Sequence, residues 1–498
     1  VVLDGLSREL VWGGIEEGGL RALARLREVG RWGELTSVIP PATAPAVASL
    51  LTGASPEVHG VRGFSEFDRR AWRIRLKSFS DLRLPTVAEY ADSIGISAGL
   101  LGIPLLYPTP RLEKGFAVAG FGVPNSVKWA EPQRVYEELR SAGYLPSPKM
   151  EAGKSDEKVA ERKVEQLWAR WEAYRRILDE WIDELRLLIV WIVETDHAAH
   201  RLWHRRDLMM DVYRAADEIV NRLLREYLGG WFVQVVSDHG FSTKRRVLYP
   251  NSVLRSRGLL RLKLSPKTIL REMVTDLVEE VRERFLGARL TVMRELGRPS
   301  MLEAIIRTLT LGVEDVDREE SVAISIGEPT QFFPVYILAD DPEERKVVEK
   351  RVVEIFSSIP EVREILPGDP MWIGVREDVS CVPGTLRLPA NPAKRLVGLP
   401  GVVGEHELVG VFFAAGPHVS KGPVRGMRIV DVGPTALHYL GLPLLDFMDG
   451  EARTDLFEPG SPPREAEKRR ISSEKLKLKV TVARAVARAR RNMGAGEG

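Results

Sequence analysis

The chain has 498 residues, a formal net charge of +2 at pH 7 and 44% hydrophobic residues. This composition is sufficient for a large buried core, and the near-neutral charge gives no reason to expect a polyanionic partner. The single cysteine, Cys381, excludes an intrachain disulfide and favours a reducing compartment, so we expect a cytoplasmic protein. No apolar run of about 18 residues or more occurs, which predicts that there is no transmembrane segment.

Residues 1–3 are apolar and lead directly into Asp4-Gly5, which is typical of a buried strand followed by a turn. The strand is short, so we expect native residues missing before it, and a cleaved leader sequence stays an open alternative to the cytoplasmic location. Asn and Gln together number only nine, which is typical of a thermophile.

Segments with helical periodicity alternate along the chain with continuous apolar runs. The predicted helices lie at 15–29, 86–95, 131–142, 155–184 and 207–228, and the segment 429–443 predicts a turn and a short helix. The apolar runs, which predict strands buried on both faces, are 185–196, 231–240 and 408–417. The alternation predicts an α/β protein with a doubly wound, mostly parallel sheet and helices on both faces.

Residues 245–400 interrupt this alternation with a helical stretch at 267–310, a strand-like run at 331–338 and a helix at 342–357. We therefore predict an inserted cap or substrate lobe. The predicted domains are a catalytic core of 1–244 and 401–458, the inserted lobe of 245–400, and a linker with a basic C-terminal helix or tail at 459–498.

The basic tail has two interpretations. It could contact nucleic acid or an anionic membrane surface. We favour the alternative of a solvated helix or one that packs on a neighbouring subunit.

Acidic residues follow the predicted strands, namely Asp4, Asp196 and Asp238. Active sites in doubly wound sheets lie at the carboxyl ends of strands. Asp196 and His200 are four residues apart and share a face if the segment is helical. Asp238 is followed by His239, and His406 precedes another core strand. Carboxylates and imidazoles in this number predict two metal sites, each open to substrate, and favour zinc or manganese.

Thr43 lies in PPATAPAVASLLTG, where the prolines predict that a helix begins only at about Ala46. A threonine at a helix N-terminus can cap the helix. It can equally present its hydroxyl to a phosphate held by the free N–H groups. The residues themselves leave both interpretations open.

These motifs resemble the type I phosphodiesterase/nucleotide pyrophosphatase group of the alkaline phosphatase superfamily. The matching segments are LDG (3–5), TAPA (43–46), LTGASPEVHG (51–60), D-x-x-x-H (196–200), SDHG (237–240) and G-x-H (404–406). The segments YPNSVLRSRGLL (249–260), VGPTALHYLGLP (432–443) and MDG (448–450) resemble the predicted phosphohydrolase/phosphomutase branch of archaea and bacteria.

The resemblance implies an alkaline-phosphatase-like fold and two divalent metal ions, Zn²⁺ or alternatively Mn²⁺. One implied site is Asp196, His200 and His406, and the other is Asp4, Thr43, Asp238 and His239. It also implies that Thr43 is the catalytic nucleophile, which forms a phosphothreonine with a small phosphorylated, nucleotide-type substrate. We interpret His59 as structural, and His197 and His204 as supporting or surface residues.

One position departs from the pattern, because Ala46 stands where nucleotide pyrophosphatases usually have an asparagine that binds a phosphate oxygen. The reaction expected is hydrolysis of a phosphodiester or pyrophosphate bond. The alternatives are a phosphomonoesterase or phosphomutase with the same two-metal core, and a metal-binding pseudoenzyme or scaffold.

Overall fold

A computed structural model describes residues 1–148, 154–281, 312–383, 386 and 396–494. The chain forms two compact units. The first unit comprises Val1–Arg62, Lys77–Phe241 and Leu408–Gly498, and the second comprises Gly63–Leu76 and Ser242–Glu407.

The elements are numbered here in chain order. The strands are β1 (Val2–Leu3), β2 (Arg31–Thr36), β3 (Ser65–Asp68), β4 (Arg73–Leu76), β5 (Ala98–Ile103), β6 (Phe116–Ala119), β7 (Ala130–Glu131), β8 (Leu187–Ile192), β9 (Val233–Val236), β10 (Gly240–Leu248), β11 (Ala323–Ile324), β12 (Phe332–Ile337), β13 (Val362–Leu366), β14 (Met371–Val375), β15 (Val379–Cys381), β16 (Leu396–Glu407), β17 (Val409–Ala415), β18 (Gly422–Arg428), β19 (Leu444–Leu445) and β20 (Arg470–Ile471). The helices are α1 (Arg8–Glu16), α2 (Arg21–Val29), α3 (Thr43–Thr52), α4 (Pro56–His59), α5 (Val87–Ser93), α6 (Gln133–Ser141), α7 (Asp156–Trp181), α8 (Glu194–Leu202), α9 (Arg206–Arg222), α10 (Pro250–Ser256), α11 (Pro266–Val281), α12 (Pro342–Ser357), α13 (Ile429–Tyr439), α14 (Pro462–Glu465) and α15 (Glu474–Gly494).

The first unit contains a nine-stranded sheet in the order β18-β2-β17-β9-β1-β8-β5-β6-β7. Its central strands β9, β1, β8, β5 and β6 are parallel, while β17 is antiparallel to both of its neighbours and β7 is antiparallel to β6. Every residue of β5, β6 and β9 is buried, as is typical of the central strands of a parallel sheet, and β9 lies within the buried strand predicted at 231–240. The predicted α/β class with a mostly parallel sheet is therefore confirmed.

The start of α3 differs from the prediction. The helix begins at Thr43 rather than near Ala46, and Ala42 is its N-cap. Pro45 falls in the first turn, where a residue without an N–H loses no intrahelical hydrogen bond. The Ala46 N–H donates to Ala42 O at 3.1 Å and closes that turn.

The second unit is built on an antiparallel sheet of order β11-β12-β14-β13 and a three-stranded sheet of order β15-β10-β16. The predicted strand at 331–338 is β12 and the predicted helix at 342–357 is α12, whose Val352 and Phe356 pack in the core of this unit. Of the helical stretch predicted at 267–310, α11 covers the first part, and 282–311 lie outside the described residues. A cap function for this lobe stays a prediction.

The C-terminal segment is part of the first unit and packs within it. Strand β20 pairs in parallel with β19, and α15 follows. The Arg484 guanidinium donates to Leu82 O at 2.6 Å and to Leu84 O at 3.0 Å, and pairs with Glu89 at 2.7 Å. The Arg484 side chain therefore makes its contacts within the protein. Among the described residues, no helix combines the length and apolar character that crossing a membrane requires.

Candidate active site

The site lies where three neighbouring parallel strands of the first unit end. Asp4 directly follows β1, and Asp238 and His239 follow β9. Helix α8 begins directly after β8 and carries Asp196 and His200. Because β9, β1 and β8 are adjacent and parallel, their carboxyl ends meet at one edge and bring these side chains together.

Asp4, Asp238 and His239 form one compact group. Their candidate ligand atoms all lie within 4.8 Å of one another, and all three residues are fully buried. His239 Nε2 lies 3.4 Å from Asp4 Oδ1 and 3.5 Å from Asp238 Oδ2. His239 Nδ1 lies 3.1 Å from Gly240 O, an acceptor that places the ring hydrogen on Nδ1 and directs the Nε2 lone pair into the group.

Thr43 joins this group through its hydroxyl. Thr43 Oγ1 donates to Asp4 Oδ1 at 3.3 Å and lies 3.3 Å from His239 Nε2. Thr43 is the first residue of α3 and not its N-cap, a position that Ala42 occupies. The hydroxyl therefore sits at the N-terminus of α3 and faces a carboxylate and an imidazole, an arrangement in which it can act as a nucleophile.

The electrostatics of this group favour a cation. Burial and the nearby Asp4 carboxylate raise the pKa of Asp238 well above its usual range. Burial alone lowers the pKa of His239, but the carboxylates of Asp238 and Asp4 outweigh it and raise that pKa to about 10. Asp238 Oδ2 is buried and makes no hydrogen bond within the described part of the chain. A buried group of carboxylates around an imidazole nitrogen suits a divalent cation. The cation neutralises the negative charge of the carboxylates, which bound protons otherwise neutralise.

Asp196 and His200 lie one turn apart on α8, with His200 Nε2 3.4 Å from Asp196 Oδ1. Gly5 makes room for this carboxylate: its φ is +63°, and a Cβ at this position would lie 2.6 Å from Asp196 Oδ1. His406 lies on β16 in the second unit. Its assignment to the same metal site as Asp196 and His200 stays a prediction.

The remaining histidines of these motifs have other contacts. His59 is fully buried, with Nε2 2.9 Å from Ser49 Oγ and Nδ1 accepting the Val61 N–H at 3.1 Å. His197 is buried with its ring 4.6 Å from that of Phe121. His204 Nε2 lies 2.6 Å from Asp156 Oδ2.

Sequence reasoning missed the residues that hold the acidic side chains in place. Trp191 donates its indole N–H to Asp4 Oδ2 at 2.9 Å, and Thr195 donates its hydroxyl to Asp4 O at 2.6 Å. Arg170 and Glu194 form a buried ion pair beside Asp196. A tryptophan within an aliphatic strand was a signal for the first of these, whereas Arg170 lies on a distant helix and no local pattern marks it.

Comparison with solved structures finds proteins of the same fold. Phosphonoacetate hydrolase from Sinorhizobium meliloti 1021 is similar in its complexes with phosphonoformate (TM-score 0.55, 15% identity) and phosphonoacetate (TM-score 0.54, 16% identity), each covering 88% of this chain and 94% of that chain. Human ectonucleotide pyrophosphatase/phosphodiesterase 5 has a TM-score of 0.49 at 14% identity, covering 92% of this chain and 99% of that chain. At 15–16% identity the likeness to phosphonoacetate hydrolase shows the fold alone.

A comparison with curated proteins finds no match. The family model for type I phosphodiesterase / nucleotide pyrophosphatase matches residues 1–294, which is more than half of the 498 residues. The chain therefore belongs to the type I phosphodiesterase / nucleotide pyrophosphatase family, and it is a metal-dependent hydrolase of phosphoric esters.

Proposed function

We propose that the protein is a two-metal hydrolase that cleaves phosphodiester or pyrophosphate bonds of nucleotide-type substrates, with Thr43 as the nucleophile. The observation that carries this proposal is the position of the Thr43 hydroxyl, 3.3 Å from both Asp4 Oδ1 and His239 Nε2 at the N-terminus of α3. Helix N-termini bind phosphate groups, so the nucleophile and the phosphate would meet there.

The ligand residues divide into two sets. Asp4, Thr43, Asp238 and His239 would hold one cation, and their mutual distances and burial support this set. Asp196, His200 and His406 would hold the other, supported by the contact of Asp196 with His200 and by the G-x-H motif. Mixed carboxylate and imidazole ligands favour Zn²⁺, with Mn²⁺ as the next choice. When bound, the cations would lower the pKa of the nucleophile and neutralise charge on the transferred group.

The reaction needs two displacements at phosphorus. The Thr43 hydroxyl gives up its proton to solvent and Oγ1 forms a bond to phosphorus while the bond to the leaving oxygen breaks; that oxygen departs with the electron pair and takes a proton from solvent. Water then attacks the phosphothreonine, its oxygen stays on the phosphate, and the Thr43 hydroxyl is restored. Before the first displacement and after the second, Asp4 Oδ1 accepts the hydrogen bond of the Thr43 hydroxyl and so orients its oxygen.

Ala46 bears on the substrate class. It is fully buried and has no polar side-chain atom for a phosphate oxygen. The backbone N–H groups of the first turn of α3 would have to supply that contact. This supports phosphoryl transfer more strongly than it supports any particular nucleotide.

The test is turnover by purified protein with added Zn²⁺ or Mn²⁺, on bis-p-nitrophenyl phosphate, p-nitrophenyl phosphate and a nucleoside 5′-diphosphate ester. Thr43→Ala is expected to lower kcat by roughly 10³-fold or more. Thr52→Ala is the matched control, since Thr52 ends the same helix and, among the described residues, its buried hydroxyl donates to Ala48 O at 2.7 Å and accepts from the Ala54 N–H at 3.3 Å, both close by in the chain.

Faster cleavage of the diester or the diphosphate ester supports the proposed class, and faster cleavage of the monoester favours the phosphomonoesterase or phosphomutase alternative. Equal turnover by wild type and Thr43→Ala contradicts the assignment of the nucleophile. Stoichiometric metal binding without any turnover would favour the pseudoenzyme or scaffold.

A further inference from the structure

The first turn of α8 is held by a buried ion pair that the proposed mechanism does not use. Arg170, on α7, directs Nε and Nη2 to the same oxygen of Glu194, Oε1, at 2.8 Å each. Their side chains are 6% and 0% exposed. A desolvated ion pair costs stability unless its geometry is very good, so apolar residues would fill this space at least as well.

Two buried tyrosine hydroxyls also bind the Arg170 guanidinium. Nη1 donates to Tyr144 OH at 3.0 Å and to Tyr174 OH at 3.3 Å, and Tyr144 OH donates to Ala119 O at 2.8 Å. Burial alone lowers the pKa of Arg170, but the Glu194 carboxylate outweighs it and raises that pKa well above its usual range. The guanidinium therefore stays charged and bonded in one orientation.

The same network reaches the strand that leads into α8. Tyr174 OH lies 3.5 Å from Trp191 O, and Trp191 donates to Asp4 Oδ2. Gly102 leaves the space that Tyr174 needs, because a Cβ at Gly102 would lie 1.8 Å from the Tyr174 hydroxyl oxygen. The network thus contacts the chain on both sides of the junction between β8 and α8.

Glu194 is the first residue of α8 and Asp196 is the third, so the orientation of this turn fixes the direction of the Asp196 carboxylate. Glu194 Oε2 is buried and accepts no hydrogen bond within the described residues, which leaves Arg170 as the group that orients this carboxylate. The first turn of α8 is thus held through one oxygen, Glu194 Oε1, which accepts two hydrogen bonds from Arg170. A substitution that adds or removes one hydrogen-bond donor at this oxygen can therefore rotate the turn.

We propose that Arg170 and Glu194 are positioning residues that fix the first turn of α8 and thereby set the affinity of the Asp196 site for its metal ion. This inference rests on the proposed function, in which Asp196 holds a cation. Groups that orient ligands contribute to metal affinity as well as to folding. A purely structural pair would contribute to folding alone.

The test is titration of the metal-free full chain with Zn²⁺ alone, in competition with a chromophoric chelator, beside thermal unfolding of the same metal-free samples. Arg170→Met is expected to lower the affinity of one of the two bound Zn²⁺ ions by roughly 10- to 100-fold. The matched control is Arg484→Met, because Arg484 and Glu89 form a pair of similar burial, 10% and 12% exposed, elsewhere in the first unit. This control is expected to lower the unfolding temperature and to leave both affinities within two-fold of the wild-type values.

Two further variants separate positioning from folding. Glu194→Gln keeps the size of the side chain and an acceptor oxygen, and we expect it to fold and to lower the affinity of one site by about 10-fold. Arg170→Met combined with Glu194→Met removes both buried charges, so we expect it to recover the unfolding temperature while the affinity stays low.

Wild-type affinity in Arg170→Met and Glu194→Gln, with lowered unfolding temperatures, would overturn the positioning role and leave the proposed function intact. Recovery of affinity in the double variant would overturn it as well. A wild-type protein that binds no Zn²⁺ or Mn²⁺ would instead overturn the proposed function together with this inference, so the two failures are distinguishable.

Discussion

The indole N–H of Trp191 points at the Asp4 carboxylate, with Nε1 2.9 Å from Oδ2, and both residues are buried. The donor occupies one oxygen of Asp4 while the other oxygen accepts from Thr43. Because each oxygen of Asp4 accepts from its own donor, the carboxylate is held in one orientation.

Trp191→Phe removes that donor and keeps an aromatic ring. We expect the affinity for one Zn²⁺ to fall by about 10-fold, because the Asp4 carboxylate loses the group that orients it. Trp171→Phe is the control, since Trp171 is as deeply buried and its indole nitrogen makes no hydrogen bond to the described residues. Zn²⁺ titration of both variants checks the prediction, and equal affinities in the two would contradict it.

Gly5→Ala introduces a Cβ 2.6 Å from Asp196 Oδ1 at a residue whose φ is +63°. The left-handed conformation alone costs an L residue about 1–2 kcal/mol, and the contact displaces a predicted ligand. We expect lower stability and a loss of Zn²⁺ affinity. Gly13→Ala in α1 is the control, because no atom lies within 4 Å of the added Cβ, and there we expect stability to stay equal or rise by up to about 1 kcal/mol. Denaturant unfolding and metal titration measure both effects.

Asp238→Asn is expected to stabilise the metal-free protein by about 1–2 kcal/mol while it abolishes tight metal binding. The substitution removes a carboxyl whose charged form is disfavoured by burial and by the Asp4 carboxylate, and the amide oxygen can still accept the Gly5 N–H, now 3.1 Å from Asp238 Oδ1. The sign of the change in stability of the metal-free protein distinguishes a metal ligand from an ordinary buried carboxylate.

Asp217→Asn supplies the contrast for that experiment. Asp217 accepts the N–H groups of Ala22 and Leu23 on separate oxygens, each at 2.9 Å. An amide offers only one acceptor, so one buried N–H is left without a bond and stability should fall. The unfolding temperatures of both variants, measured with and without Zn²⁺, check the prediction. A lower unfolding temperature of metal-free Asp238→Asn than of metal-free wild type would refute it.

His59 should make stability depend on pH. Burial, and then Arg62 and Arg83, lower its pKa from 6.5 to about 3. The unfolded chain therefore takes up the proton first, so the contribution of neutral His59 is complete above pH 6.5 and is lost as pH falls from 6.5 towards about 3.

His59→Gln removes this titration. Between pH 6.5 and pH 5 the advantage of wild type over His59→Gln in unfolding free energy should shrink by about 2 kcal/mol. Denaturant unfolding at both pH values measures the difference, and a constant difference would mean that the imidazole is accessible to protons in the folded state.

The fold was predictable because its central strands are buried on both faces. Continuous apolar runs at 185–196 and 231–240 contain β8 and β9, and no amphipathic pattern competes with that signal. The start of α3 was predicted too late because Pro45 was taken as a helix breaker, although a first-turn proline is tolerated. The hairpin of β3 and β4 was not predicted, since its short, charged strands carry little apolar alternation.

The acidic residues of the candidate site were predictable because each of them follows a predicted strand. The structure brings Asp4, Thr43, Asp238 and His239 into contact, and these come from three separate segments whose proximity follows from strand order. Arg170 and Tyr174 could not be predicted, because their partners, Glu194 on α8 and Trp191 on β8, lie on other elements, and local spacing does not encode such contacts.

The strand order has a consequence for synthesis on the ribosome. Strand β2 lies between β17 and β18 in the sheet, so every backbone partner of β2 is translated more than 370 residues after it. The parallel strands from β9 to β6 can associate earlier, while β2 waits with both edges open. A nascent chain that terminates before residue 409 would carry unpaired edges on β2 and β9 and would be prone to aggregate.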